Sequence, residues 1–222
     1  MERGAPSYHC GITSKTLDPV LRPLLAFYAD TLASHGPTAL GVGWNSVSAQ
    51  EIRFAQICKV LGTEERRSII DYGCGYGALL PHLRSLGGDF EYCGYDMCGS
   101  MIAAAKEHFG SEPGTHFTTE RTELPPADYC LASGIFSFKL EADDRAWRDY
   151  MFETIDDMAS LAGRGIAFNA LTTYSDPEKL RPELYYADPL HLFDYCKRNL
   201  SGDVALLHDY GLFDFTIVVR MS

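Results

Sequence analysis

"RSIIDYGCGYGALLPHLRSLG", residues 67–87, decides the fold. Its first part, "RSIIDYG", is a short apolar run of the kind that forms a buried strand. Its last part, "GALLPHLRSLG", reads as a helix, with Pro81 near the first turn, where proline is tolerated. Between them Gly73, Gly75 and Gly77 fall within a few positions. A loop of this kind crosses from strand to helix at the carboxyl end of a parallel sheet, where open α/β sheets bind their ligands. Glycine suits it because a Cβ would collide with a ligand that approaches the backbone closely.

Working outward from that loop, the same alternation continues. "FEYCGYD" reads as a second strand and "GSMIAAAKEHFG" as a second helix. "THFTT", "ADYCLASGIF" and "GIAFNALTT" supply a third, fourth and fifth strand. The long amphipathic helix "DRAWRDYMFETIDDMASLAG" precedes the last of these, and the helix "DPLHLFDYCKRNL" follows it. Strands alternating with helices predict a parallel sheet covered on both faces. The closing stretch, "DVALLHDYGLFDFTIVVRM", holds two apolar runs too close together for a crossover helix, so they form an antiparallel hairpin. The expected fold is α/β: a three-layer Rossmann-like arrangement whose seven-stranded mixed sheet is mostly parallel, with the last strand antiparallel. Upstream, "PVLRPLLAFYADTLASHG" reads as a helix stopped at Gly36-Pro37. "SAQEIRFAQICKVLG" reads as another, opened by Ser48 and Glu51 as a capping box and closed by Gly62. No repeat or linker divides the chain, so one domain spans 1–222, with 1–47 as an arm or lid.

Bulk properties narrow the function. The 222 residues are 46% hydrophobic and 22% charged, a globular balance. A net charge of −11 repels a phosphate backbone and disfavours nucleic acid as a partner. "MERGAPSYHC" lacks the apolar core of a signal peptide, and no apolar run reaches membrane-spanning length; the expected location is the cytoplasm. The seven cysteines are odd in number and show no C-x-x-C spacing or zinc set, so they are expected to be reduced, mostly buried thiols, with no metal site.

The glycine loop admits two cofactors. Gly73-x-Gly75-x-x-Ala78 matches a dinucleotide fingerprint and would serve a nicotinamide-dependent oxidoreductase. Asp71-x-Gly73-x-Gly75-x-Gly77 matches something else. Asp96, at the end of the second strand, would bind ribose hydroxyls under either reading. Asp71 would repel a pyrophosphate yet can meet an α-amino group. The long segment before the loop and the closing hairpin point the same way as Asp71.

With "IIDYGCGYGALL", "EYCGYDMCGSMIAAAKEHF", "TTERTELPPADYCLASGIF" and the hairpin together, the chain resembles a class I S-adenosylmethionine-dependent methyltransferase over about residues 48–222. The resemblance implies S-adenosylmethionine as cofactor and a small-molecule methyl acceptor. It implies that Asp71 and the backbone of Gly73, Cys74 and Gly75 hold the methionine portion. Asp96 would bind both ribose hydroxyls, and Met97 would pack on the adenine. Glu120 and Arg121 would meet the adenine edge, Arg121 through its backbone. Ser133 and Gly134 would face the amino acid moiety and the methyl group, and Arg53 would pair with the cofactor carboxylate. A module that binds the cofactor without catalysis carries the same loop and stays open as an alternative.

In-line methyl transfer needs alignment and exclusion of water more than a fixed set of catalytic groups. Strand direction places the loops after the fourth, fifth and sixth strands near the site. From them His208 is the candidate base, since histidine titrates near neutrality, with Tyr210 and Tyr186 as further catalytic candidates. Residues 172–188 form a long substrate-side loop, a lid candidate with the arm, whose Tyr8, His9, Trp44 and Asn45 could fold over the top. Arg181 in this loop suggests an acidic acceptor. "ASGIF" stands where this family carries an Asn/Asp-Pro-Pro-aromatic motif for base or amide nitrogen, which argues against DNA-base methylation.

Overall fold

The computed structural model describes residues 18–221. One sheet organises them. Its strands are β1 (Arg66–Tyr72), β2 (Asp89–Tyr95), β3 (Thr115–Thr118), β4 (Ala127–Ala132), β5 (Ala162–Thr172), β6 (Tyr186–Ala187), β7 (Asp203–Leu207) and β8 (Asp214–Arg220). The order across the sheet is β3-β2-β1-β4-β5-β8-β7. Strands β1 to β5 are parallel, while β8 runs antiparallel to both β5 and β7. The expected mixed sheet with a closing hairpin is present. It holds one strand more than the seven expected, because the two-residue β6 also pairs with β5.

That extra strand matters for the site. Residues 162–168 of β5 pair with β4, and Leu171 and Thr172, further along, pair with β6. The other edge of β5 is occupied by β8. So β6 continues the edge that β4 leaves free, and the 172–188 loop returns over the end of β4.

Six α-helices cover the two faces: α1 (Asp18–His35), α2 (Val47–Ile57), α3 (Leu79–Ser85), α4 (Gly99–Phe109), α5 (Asp144–Leu161) and α6 (Pro189–Asn199). Phe54 and Ile57 of α2, Leu79, Leu80 and Leu83 of α3, and Ile102 and Ala105 of α4 share one buried cluster against Ile69, Leu131 and Val218. Trp147, Met151, Ile155 and Met158 of α5 join Leu192 and Cys196 of α6 in the other, against Ile70, Phe168 and Ile217. Ile69 and Ile70 thus point to opposite faces, as strand geometry requires. Side-chain caps fix where the helices begin. Asp143 accepts from Arg145 and Ala146 at the start of α5, and Asp188 accepts from Leu190 and His191 before Pro189 of α6. The α2 cap is Ser46, whose Oγ accepts from the Ala49 N–H at 3.1 Å, and this corrects the expected start at Ser48. Cys58, Cys74, Cys93, Cys98, Cys130 and Cys196 are all free and buried. Cys10, Tyr8 and His9 lie outside the described residues. No described helix is long and apolar enough to cross a membrane.

Candidate active site

At the carboxyl ends of β1, β2 and β4 lies a cleft lined mainly by apolar and aromatic side chains with a few polar groups, the composition of small-molecule sites. The loop 73–78 forms its floor. Gly73 has φ +78°, and a Cβ there would stand 2.2 Å from Ile135 Cγ2, so both conformation and space demand glycine. Four N–H groups of this loop are engaged. Gly73 and Cys74 both donate to the Tyr95 carbonyl, at 2.7 and 2.9 Å. Gly75 donates to Asp96 Oδ2 at 2.8 Å, and Gly77 donates to the Cys74 carbonyl at 2.9 Å.

Two carboxylates are the charged side chains among the described lining residues. Asp71, next to last in β1, is almost fully buried, at 3% exposure, and accepts a 2.6 Å bond from the Tyr92 hydroxyl. Burial pushes its pKa up to about 7; the Tyr92 bond opposes that shift, and the nearby Asp96 charge adds to it. Asp96 follows β2 and braces two backbones, accepting from Gly75 and, at 2.8 Å, from Cys98 N–H. Burial also raises the Asp96 pKa, opposed by those two bonds.

The β4 side is built around Asn169. This residue sits in β5, 1% exposed. Its Oδ1 accepts from the Gly134 N–H at 2.9 Å, and its Nδ2 donates to Ser133 Oγ at 3.0 Å. The Trp44 indole closes over Gly134, where a Cβ would meet Cζ2 at 2.3 Å. Leu24, Leu25 and Tyr28 of α1 close the mouth from above. Helix α1 is held there in part by Phe27, whose ring centroid is 4.7 Å from that of Phe138.

Asp71, Gly73, Cys74, Gly75, Asp96, Met97, Ser133 and Gly134 all line this one cleft. Arg53, Glu120 and Arg121 do not. Arg53 is buried and pairs with Asp214, its Nε donating to Oδ1 at 2.9 Å, while the guanidinium lies 4.1 Å from the Trp44 ring centroid. Arg121 grips Asp157 with two bonds of 2.6 and 2.5 Å, and Tyr72 donates to the same carboxylate. Glu120 is exposed on the turn after β3. The three catalytic candidates also stand apart from the cleft. His208 is exposed after β7, beside the Tyr174 and Phe215 rings. Tyr210 shares a 3.0 Å hydrogen bond with Thr216. Strand β7 lies four positions from β1, about 19 Å at ordinary strand spacing, so ending on the same edge does not bring it to the loop. Tyr186 is tied into its own loop, accepting from the Arg181 N–H at 3.1 Å and donating to the Lys179 carbonyl at 3.4 Å. Asn169 went unnoticed in the sequence reading, although a lone amide in the apolar run "GIAFNALTT" is a visible signal.

A methyltransferase-domain family model matches residues 69–156, from β1 through most of α5. A Mycobacterium tuberculosis protein described as "Putative methyltransferase Rv1506c" is 44% identical over 164 residues, 74% of this chain and 99% of that protein. The chain belongs to the class I S-adenosylmethionine-dependent methyltransferases. Solved structures agree with this methyltransferase in fold. The DhpI-SAM-HEP complex superposes with a TM-score of 0.58 at 14% identity, covering 94% of this chain and all (100%) of that one. A SAM-dependent methyltransferase from Aquifex aeolicus gives 0.56 at 16% identity, over 80% and 95% of the two chains. Human N-acetylserotonin methyltransferase in complex with SAM gives 0.56 at 15%, over 91% and 67%.

Proposed function

We propose that the cleft holds S-adenosylmethionine with its amino group toward Asp71 and its ribose toward Asp96, and that a small uncharged acceptor is methylated there. One observation carries this reading: the buried Asp71 carboxylate lies under a loop in which the Gly73, Cys74, Gly75 and Gly77 N–H groups already have partners. A loop that cradles pyrophosphate needs those N–H groups free to point at the ligand. Beneath this loop the cleft offers the Asp71 carboxylate, which suits a cation. The same observation disfavours the dinucleotide alternative.

When bound, S-adenosylmethionine supplies an activated methyl group for in-line displacement. The chain's own residues supply position and dryness. Asp71 accepts the ammonium, and Asp96 accepts the ribose hydroxyls while holding Gly75 and Cys98 in place. Trp44, Ile135 and α1 keep water from the reacting centre. Since His208, Tyr210 and Tyr186 do not line the cleft, we assign no general base to them. The arm from α1 onward, with the 172–188 loop, would act as the lid and set acceptor specificity.

The acceptor's charge class follows from the cations nearby. Arg53 is matched by Asp214, Arg121 by Asp157, and Arg181 by Glu183. An anionic acceptor would therefore meet no protein cation among the described lining residues. This replaces the acidic acceptor that Arg181 suggested. A thermal-shift panel tests the cofactor reading: S-adenosylhomocysteine should raise the melting temperature, and NAD and NADP should not. At 100 times its dissociation constant a ligand stabilises by about 2.7 kcal/mol. Stabilisation by NAD alone would sink the reading.

A further inference from the structure

Asn169 fixes which way a hydroxyl proton points. The Gly134 backbone N–H can only donate, so the amide atom 2.9 Å from it must be the oxygen. The other end of the amide is then the NH₂ group, which can only donate, so Ser133 Oγ accepts at 3.0 Å. The Ser133 hydroxyl proton is thereby left for a partner on the cleft side, which Ser133 lines. Asn169 is buried in β5 and cannot exchange these roles without leaving the Gly134 N–H unpaired, a costly arrangement for a buried donor.

We infer that Asn169 is a positioning residue that presents the Ser133 hydroxyl as a donor to the carboxylate of the cofactor's amino acid end. The inference rests on the cofactor reading above. Its physical need is plain: that carboxylate finds no cation among the described lining residues, because Arg53 is held by Asp214, and the Gly73, Cys74 and Gly75 N–H groups are engaged. The spacing also fits. Asp71 pairs with Leu131 in register, so Ser133, the residue after β4, stands two positions further along the chain. That is about 7 Å beyond the Asp71 level, room for an ammonium at one group and its neighbouring carboxylate at the other.

Calorimetry with two ligands tests this without turnover. S-adenosylhomocysteine carries the amino acid end; 5′-methylthioadenosine keeps the adenosine and thioether and lacks it. In Ser133→Ala, affinity for S-adenosylhomocysteine should fall ~10-fold, the scale of one hydrogen bond to a charged group, with 5′-methylthioadenosine unaffected. Asn169→Asp should do the same, because a carboxylate accepts from both Gly134 and Ser133 and turns the hydroxyl proton inward. The double variant should lose no more than either single one. Ser133→Ala keeps the Asn169–Gly134 bond and decides the question alone if Asn169→Asp does not fold. A wild-type protein that binds neither ligand overturns the cofactor reading, and this inference with it. A wild type that prefers S-adenosylhomocysteine, with Ser133→Ala keeping the same preference, overturns the inference alone.

Discussion

Asp71 makes cofactor affinity depend on pH, and the sign follows from its burial. In the empty protein its pKa is raised to about 7 by desolvation, opposed by the Tyr92 hydrogen bond and helped by the nearby Asp96 charge. An ammonium placed against it favours the ionised form and draws the pKa back toward the ordinary range near 4. Proton and ligand therefore compete for one carboxylate. Affinity should be highest above about pH 7 and fall about tenfold per unit below it. From its high-pH plateau down to about pH 5 the loss approaches 100-fold, or ~2.7 kcal/mol. Folding is linked in the opposite direction: a raised carboxylate pKa means that the empty protein loses stability as pH climbs from about 4 through about 7, by roughly 4 kcal/mol in all. Ligand should restore much of it. The assay is calorimetry with S-adenosylhomocysteine across this range, in buffers of different ionisation heat to count protons. Near pH 6 close to one proton should leave per ligand bound. Asp71→Asn, which can keep the Tyr92 contact, should bind weakly at about pH 7.5 and show a flat profile. Affinity that stays level between about pH 5.5 and 7.5, with no proton released, would refute the reasoning.

Three other perturbations have definite outcomes. Asp96→Ala removes acceptors from the Gly75 and Cys98 N–H groups, so denaturant unfolding of the empty protein should show a loss of ~1–3 kcal/mol besides weakened ligand binding. Unchanged S-adenosylhomocysteine affinity would exclude the ribose role. Gly73→Ala drives a Cβ toward Ile135 at a positive φ, and calorimetry should find binding abolished or lowered by a factor of 100 or more, ~2.7 kcal/mol, while helices persist by circular dichroism. Arg53→Met strands the buried Asp214 carboxylate and should cost ~3–5 kcal/mol of stability, while Arg53→Met with Asp214→Leu should cost far less. Equal losses in the single and double variants would show that the pair is not acting as a unit.

The sheet was legible because its strands are apolar runs, and their alternation with helices admits few topologies. The glycine loop and its two carboxylates were legible because they lie in local sequence at the ends of β1 and β2. Lateral distance was not. The rule that parallel strands end on one edge placed His208 at the correct height in the sheet, but said nothing of the three strands between it and β1. Arg53 was misdirected for a similar reason: its partner Asp214 is 161 residues away, and no local pattern pairs them. Strand β6 escaped notice because two residues carry no periodicity; it is visible only as a pairing with Leu171 and Thr172. The Ser46 cap escaped notice because Ser48 stands at capping-box spacing from Glu51, a pattern that points two residues too late.

The segments after β4 and β5 are joined to each other as well as to the sheet. Phe138 and Leu184 form an antiparallel bridge, Lys139 and Leu140 both donate to the Glu183 carbonyl, and Tyr185 donates to Ser137. Phe138 also carries the ring that meets Phe27 of α1. The two segments are therefore a single exchangeable cassette. A chimera that grafts residues 133–143 from a related enzyme without 172–188 has to re-form these pairings between segments of different parents, so a change of acceptor by recombination or by design is best made by transplanting both pieces together.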